Sequence, residues 1–94
     1  MNTANLELQG LYLAMAAIND LLVRKQLLTH PEIRGALSLA ATVVEQSTRN
    51  ASLSRSNGKA VQFPLHFLAM ASESSESGKP VDFHCIAKEV AERW

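Results

Sequence analysis

One six-residue run, LTHPEI at residues 28–33, constrains the fold more than any other feature of the chain. Thr29 and Glu32 have the spacing of a capping box, in which each side chain bonds to the other residue's backbone N–H at a helix start. The leucine and isoleucine that flank the box can contact each other across that start. Pro31 fits the first turn, where N–H groups have no partner within the helix. The run therefore predicts a helix start that separates two apolar segments and makes them a helical hairpin.

Apolar residues recur at helical spacing in four segments with short polar connections between them. The pattern predicts an all-α, up-down, four-helix bundle-like domain over residues 1–94, with helices at about 6–26, 30–49, 55–73 and 83–93. Asp82 is placed to cap the last helix. Residues 72–80, with the sequence SESSESGKP, are predicted to form a flexible polar connector within the domain.

Pro64 lies inside the third segment and allows two interpretations. In one, the helix begins at Pro64 and residues 54–63 form a loop. In the other, Ser54 caps a longer helix that is kinked at Pro64, since an interior proline costs about 3 kcal/mol and bends a helix. Polar residues on both sides of Pro64 share one helical face, which favours the kinked helix, with its bend near residues 60–64.

The first predicted helix is apolar almost all the way round, which is typical of a helix buried on more than one side. Its inner stripe is predicted to be Leu8, Leu11, Met15, Ile18 and Leu22. The opposite face can be core, or it can pack against a second copy of the chain. Phe63, Phe67 and Met70 widen the apolar arc of the third helix, and this edge can be core, or a groove or interface that receives a partner helix or a small apolar ligand. We expect a homodimer, with another protein partner also open, and an interface formed by Leu6, Gly10, Leu13, Ala14, Ala17, Phe63, Phe67 and Met70.

Composition and charge argue against several classes of function. Nine basic and nine acidic residues give a net charge of zero, so no overall field favours nucleic acid or an anionic membrane. The wholly apolar run at residues 11–18 is short against the roughly 20 residues of a membrane span. Glu7 precedes this run and no basic stretch does, unlike a signal peptide. We therefore expect a cytoplasmic protein with no membrane association.

The titratable residues form no recognisable reactive motif. No helix carries His-x-x-x-His or Glu-x-x-His, so we expect no metal ion, and no Gly-rich phosphate loop or other cofactor motif is present. His30 and His66 are predicted to be solvated. The expected function is non-enzymatic, with no catalytic residues: a small interaction or regulatory module that self-associates.

Two alternatives belong to other classes of function. A weak nucleic-acid-binding regulator would use Arg34, Arg49, Arg55 and Lys59, although Glu45 dilutes this basic surface. A thiol-based sensor or enzyme would use Cys85, the single cysteine. Cys85 lies in the first turn of the last predicted helix, where the helix dipole can lower the pKa of a thiol. Its general base would have to come from elsewhere in the chain.

Overall fold

The secondary structure of the described residues is helical throughout. A computed structural model of the chain describes residues 3–52 and 54–94, without the side chains of residues 55 and 56. Its four helices are α1 (Thr3–Arg24), α2 (His30–Asn50), α3 (Arg55–Glu76) and α4 (Phe83–Arg93). The helices pack against one another, which confirms the predicted all-α, bundle-like fold.

The start of α2 is a complete capping box. The Thr29 hydroxyl accepts from the Glu32 N–H at 3.2 Å, and the Glu32 carboxylate accepts from the Thr29 N–H at 2.9 Å. Ser54 and Asp82 cap α3 and α4 in the same way, each accepting from the backbone N–H three residues later. Backbone N–H groups in a first turn have no intrahelical acceptor, so these local side-chain bonds locate the helix starts.

Helix α3 runs through Pro64 without interruption, so residues 55–63 are helix and not loop. Its C-terminal end differs from the prediction, because α3 continues to Glu76 and the connector is limited to residues 77–82. The predicted connector at 72–80 was therefore wrong over its first five residues. Ser72 and Ser75 hydrogen-bond to other helices, which holds this polar stretch in the helix. The bend near residues 60–64 stays a prediction.

The core is built around α3, which packs against each of the other three helices. Phe67 is fully buried at its centre. The Phe67 ring centroid lies 5.4 Å from that of Tyr12 on α1 and 5.1 Å from that of Phe83 on α4. Aromatic rings at these separations attract one another in addition to burying apolar area, so they join three helices at one point. The buried apolar cluster is completed by Ala16, Leu68, Met70, Ala71, Ile86 and Val90.

Helix α1 presents a different side to the core from the predicted inner stripe. Tyr12, Leu13 and Ala16 pack against the core. The predicted stripe was wrong for four of its five members, since Leu22 alone is half-buried while the exposed members are Leu8, Leu11, Met15 and Ile18. A helix that is apolar nearly all round has no single periodic face, so spacing alone could not select the buried side.

Helix α1 ends in a Schellman motif with an unusual residue at its left-handed position. The Leu27 N–H bonds to the Leu22 carbonyl at 3.0 Å, and the Gln26 N–H bonds to the Val23 carbonyl at 2.9 Å. Gln26 has φ 62°, a conformation that glycine adopts without steric strain and glutamine does not. Gly78 occupies the same position after α3, with φ 76°.

These two helix ends form a matched pair for mutation. Gln26→Gly is expected to raise the free energy of unfolding by about 1 kcal/mol, because it removes the strain of a side chain at positive φ. Gly78→Ala is expected to lower that free energy by a similar amount. Urea denaturation followed by circular dichroism measures both. A destabilised Gln26→Gly variant would contradict the assignment of strain to this position.

Candidate functional site

The most distinctive surface of the described structure is an uncovered apolar face on α1. Its centre is Leu11, Ala14, Ile18 and Leu21. These residues are three or four positions apart, so they lie on one side of the helix. Of the three large side chains, Leu11 is 56% exposed, Ile18 is 51% exposed and Leu21 is 44% exposed. We call this set, with its exposed neighbours, the outer face; the neighbours are Leu8, Gly10, Met15 and Ala17. Contiguous apolar surface of this kind on a soluble domain is typical of an interaction site.

The opposite side of α1 is held against the rest of the protein. The Tyr12 ring packs among Phe63, Phe67 and Phe83, with centroid separations of 5.4–6.2 Å, and burial raises the pKa of the Tyr12 phenol. Two turns further along, the Asp20 carboxylate accepts a hydrogen bond from the Ser75 hydroxyl at 3.0 Å. These contacts set the rotation of α1 about its own axis, and that rotation leaves the outer face exposed.

The predicted interface residues fall into two groups. On α1, Leu6, Gly10, Ala14 and Ala17 are exposed, while Leu13 is half-buried against the core. On α3, Phe67 and Met70 are buried and Phe63 is half-buried. Phe67 is fully buried and Met70 is 5% exposed, so they offer a partner almost no surface and their place in the interface needs correction. The physical reason is that α1 and α4 cover this side of α3 through Tyr12 and Phe83.

Helix α1 also has the length and composition of a membrane span, though on those two criteria alone. The sequence-based argument against a span counted only the apolar run at residues 11–18. The helix itself has 22 residues and lies near the N-terminus of the chain. Its length and composition therefore permit a membrane span.

A polar network joins α1, α2 and α3 around His30. This histidine is 9% exposed, so its predicted solvated position was wrong. Its Nδ1 lies 2.8 Å from the Ser72 hydroxyl, which also accepts from the Arg34 guanidinium at 3.3 Å. Arg34 further pairs with Glu76 at 2.7 Å. Sequence reasoning missed this network because its bonds between α2 and α3 join residues 38 or 42 positions apart, which share no local motif.

The network resembles a Ser-His-Asp constellation in residue type but not in geometry. The Asp20 carboxylate is 3.9 Å from His30 Nε2, which is too long for a hydrogen bond. Ser72 is only 4% exposed, and it does not line the cleft that Asp20 and His30 border. A nucleophile must reach its substrate, so the arrangement fits a cross-link between three helices and not an active site.

A groove of about 550 Å³ lies between α2, α3 and α4. At one end the His66 imidazole stacks on the Trp94 indole, with ring centroids 4.2 Å apart and an angle of 7° between the planes. His66 is therefore half-buried, and its predicted solvated position needs correction. Gln62 donates to the Ala41 carbonyl at 2.9 Å, while its buried Oε1 has no hydrogen-bond partner among the described atoms. Lys59 and Glu45 place one charge of each sign along the walls, so the groove favours neither cations nor anions.

The His66–Trp94 stack predicts a pH dependence. Burial lowers the pKa of His66 from its ordinary value of 6.5, so the folded state binds this proton less readily than the unfolded state does. The contribution of His66 to the free energy of unfolding is fully present above about pH 6.5. It is lost as the pH falls from there through the lower pKa of the folded state. The melting temperature is expected to fall between about pH 7.5 and 5.5, and to fall less in His66→Phe, which keeps a planar ring. His84→Phe, at an exposed position, is the matched control. An unchanged pH slope in His66→Phe would contradict the prediction.

Two of the arginines of the nucleic-acid-binding alternative are paired with carboxylates. Arg34 pairs with Glu76 and Arg49 pairs with Glu45, at 2.7 and 2.8 Å, while the Arg55 side chain lies outside the described residues. Pairing with carboxylates reduces the positive charge that a nucleic acid would meet.

Cys85 is exposed at the start of α4. Its backbone N–H bonds to the Asp82 carboxylate at 3.0 Å, and this bond holds the pKa of the Asp82 carboxyl below its ordinary value. Reactive cysteines lie in electropositive surroundings, and the charged group bonded to this first turn is a carboxylate.

Neither a metal cluster nor a known relative assigns a function. In the described part of the chain, no three His, Cys, Asp or Glu side chains are grouped so that they could hold a metal ion. Comparison with known proteins found no matching family model, no matching curated protein and no matching solved structure.

Proposed function

We propose that this protein is a small cytoplasmic interaction module that self-associates through the outer face of α1 and has no catalytic activity. The supporting observation is the position of that face, opposite the side of α1 that holds the core. We further propose an up-down arrangement of the four helices, since short connections join helices that run in opposite directions. Another protein that presents an apolar helix would bind to this same face of α1.

Buried apolar area supports self-association on energetic grounds. Fully burying a leucine or isoleucine stabilises by about 1.5–3 kcal/mol, and the large side chains of the outer face have roughly half of that still to gain. With both copies contributing, a symmetric pair gains on the order of 10 kcal/mol, within the range of about 4–15 kcal/mol that association costs. At the lower end of that cost the net gain is about 6 kcal/mol, which corresponds to a dissociation constant of about 40 μM.

Packing favours a second copy of the chain over a membrane. If α1 spanned a bilayer, α3 would enter it too, because Tyr12 and Asp20 contact α3 directly. Helix α3 carries polar side chains along its length, including Lys59 and Glu73, and charged groups in hydrocarbon are expensive. A helix lying at the membrane surface normally carries Lys or Arg along its polar border. Between Leu8 and Val23, α1 carries neither.

Sedimentation equilibrium of the wild-type protein tests the proposal. A monomer–dimer equilibrium with a dissociation constant of about 1–100 μM is expected. A monomer that persists at about 500 μM would contradict it. Flotation with vesicles of neutral and of anionic lipid tests the membrane alternative in the same samples, and binding of the monomer to vesicles would also overturn self-association as the function.

A further inference from the structure

The outer face of α1 is flanked by two opposite charges, a negative one at its N-terminal end and a positive one at its C-terminal end. The four central residues of the face, with Glu7 before them and Lys25 after them, are separated by four, three, four, three and four positions. In order these are Glu7, Leu11, Ala14, Ile18, Leu21 and Lys25. At about 100° per residue they lie within an arc of about 80°. Lys25 belongs to this face because its N–H still bonds to the Leu21 carbonyl at 3.0 Å, as in the helix before it. Glu7 and Lys25 are both exposed.

We propose that two copies of the chain pair through this face with their α1 helices antiparallel, about a two-fold axis at the level of residue 16. This inference rests on the proposed function and specifies its geometry. In this register Leu11 of each copy meets Leu21 of the other, and Ala14 meets Ile18. Glu7 of each copy then meets Lys25 of the other. A closed two-fold interface of this kind is the commonest form of self-association.

Charge complementarity favours the antiparallel orientation. A parallel pair would bring Glu7 against Glu7 and Lys25 against Lys25, which places like charges together at both ends. The antiparallel pair converts these four charges into two ion pairs. It also places the positive N-terminal end of one helix dipole beside the negative C-terminal end of the other. Electrostatic matching of this kind selects the orientation of a pair more than it adds affinity.

Side-chain size agrees with the same register. Ala14 is the small member among the four central residues of the outer face and Ile18 is a large one, so an antiparallel pair sets a small residue against a large residue twice. A parallel pair would stack Ala14 on Ala14 and Ile18 on Ile18, which leaves a gap in one layer and crowding in another. Interdigitation of large with small side chains fills an interface without voids.

The first experiment compares Glu7→Gln with Glu92→Gln, an exposed α4 residue, by sedimentation equilibrium at low ionic strength. An antiparallel pair loses two ion pairs in Glu7→Gln, so its dissociation constant is expected to rise by about 3–10-fold. A parallel pair loses a repulsion instead, so its dissociation constant would fall. A fall or no change overturns the antiparallel register. Absence of a wild-type dimer overturns the proposed function itself, which makes the two failures distinguishable.

The second experiment uses disulfide formation in a Cys85→Ser background. Leu11→Cys and Leu21→Cys chains are oxidised separately and as a mixture. The antiparallel register predicts a disulfide between the two different chains and little between identical chains, because a disulfide needs Cβ atoms about 3.5–4.5 Å apart. Efficient Leu11→Cys homodimers, or no disulfide in a mixture that still self-associates, would overturn the register.

Discussion

Replacing Phe67 with alanine is expected to lower the free energy of unfolding by about 3–5 kcal/mol, the usual cost of deleting a fully buried phenylalanine ring. The cost should be at the upper end, since the ring contacts both Tyr12 and Phe83 and its loss separates α1 and α4 from α3. A domain of this size has a total stability of about 5–14 kcal/mol. A loss of about 3–5 kcal/mol is therefore a large fraction of the total, and urea denaturation monitored by circular dichroism would measure it.

Leu39→Ala is the control for the Phe67 variant. Leu39 is 72% exposed, so its truncation leaves no cavity and is expected to change the free energy of unfolding by less than about 0.5 kcal/mol. A loss below about 1 kcal/mol in Phe67→Ala would show that the aromatic cluster is not the centre of the core.

Ile18→Glu is expected to weaken self-association by at least about 100-fold, which corresponds to about 2.7 kcal/mol. The substitution places a carboxylate in the middle of the outer face, where a second copy would bury it without a partner. Each isolated chain should keep its melting temperature, because Ile18 is 51% exposed and does not belong to the buried apolar cluster. Sedimentation equilibrium and thermal denaturation of the same sample separate the two effects.

Val61→Glu is the matched control for Ile18→Glu. Val61 is also β-branched and is 44% exposed on α3, away from the outer face. We expect it to leave the dissociation constant unchanged. Equal weakening by both variants would indicate a general effect of added negative charge and would contradict the assignment of the interface to α1.

The helix starts could be predicted because their causes are local. The Thr29–Glu32 capping box and the caps at Ser54 and Asp82 depend on residues three positions apart, so sequence spacing determines them. The continuity of α3 through Pro64 could also be predicted, because polar residues before and after the proline share one face.

The buried side of α1 could not be predicted in the same way. The helix is apolar on nearly every side, so periodicity offered several equivalent faces. Tyr12 decides between them through the aromatic cluster, and Asp20 through its bond to Ser75. Both contacts join residues more than 50 positions apart.

The sequence by itself determined that this chain is helical, where three of its helices begin, and that α1 carries more apolar surface than one side of a helix can bury. Only the tertiary structure decided which side of α1 is buried. It also brought His30 and Ser72 together in a buried network. The physical reason is a difference in range. Caps and helical periodicity act within one or two turns of the chain, whereas burial depends on which distant residues fill the space beside each helix.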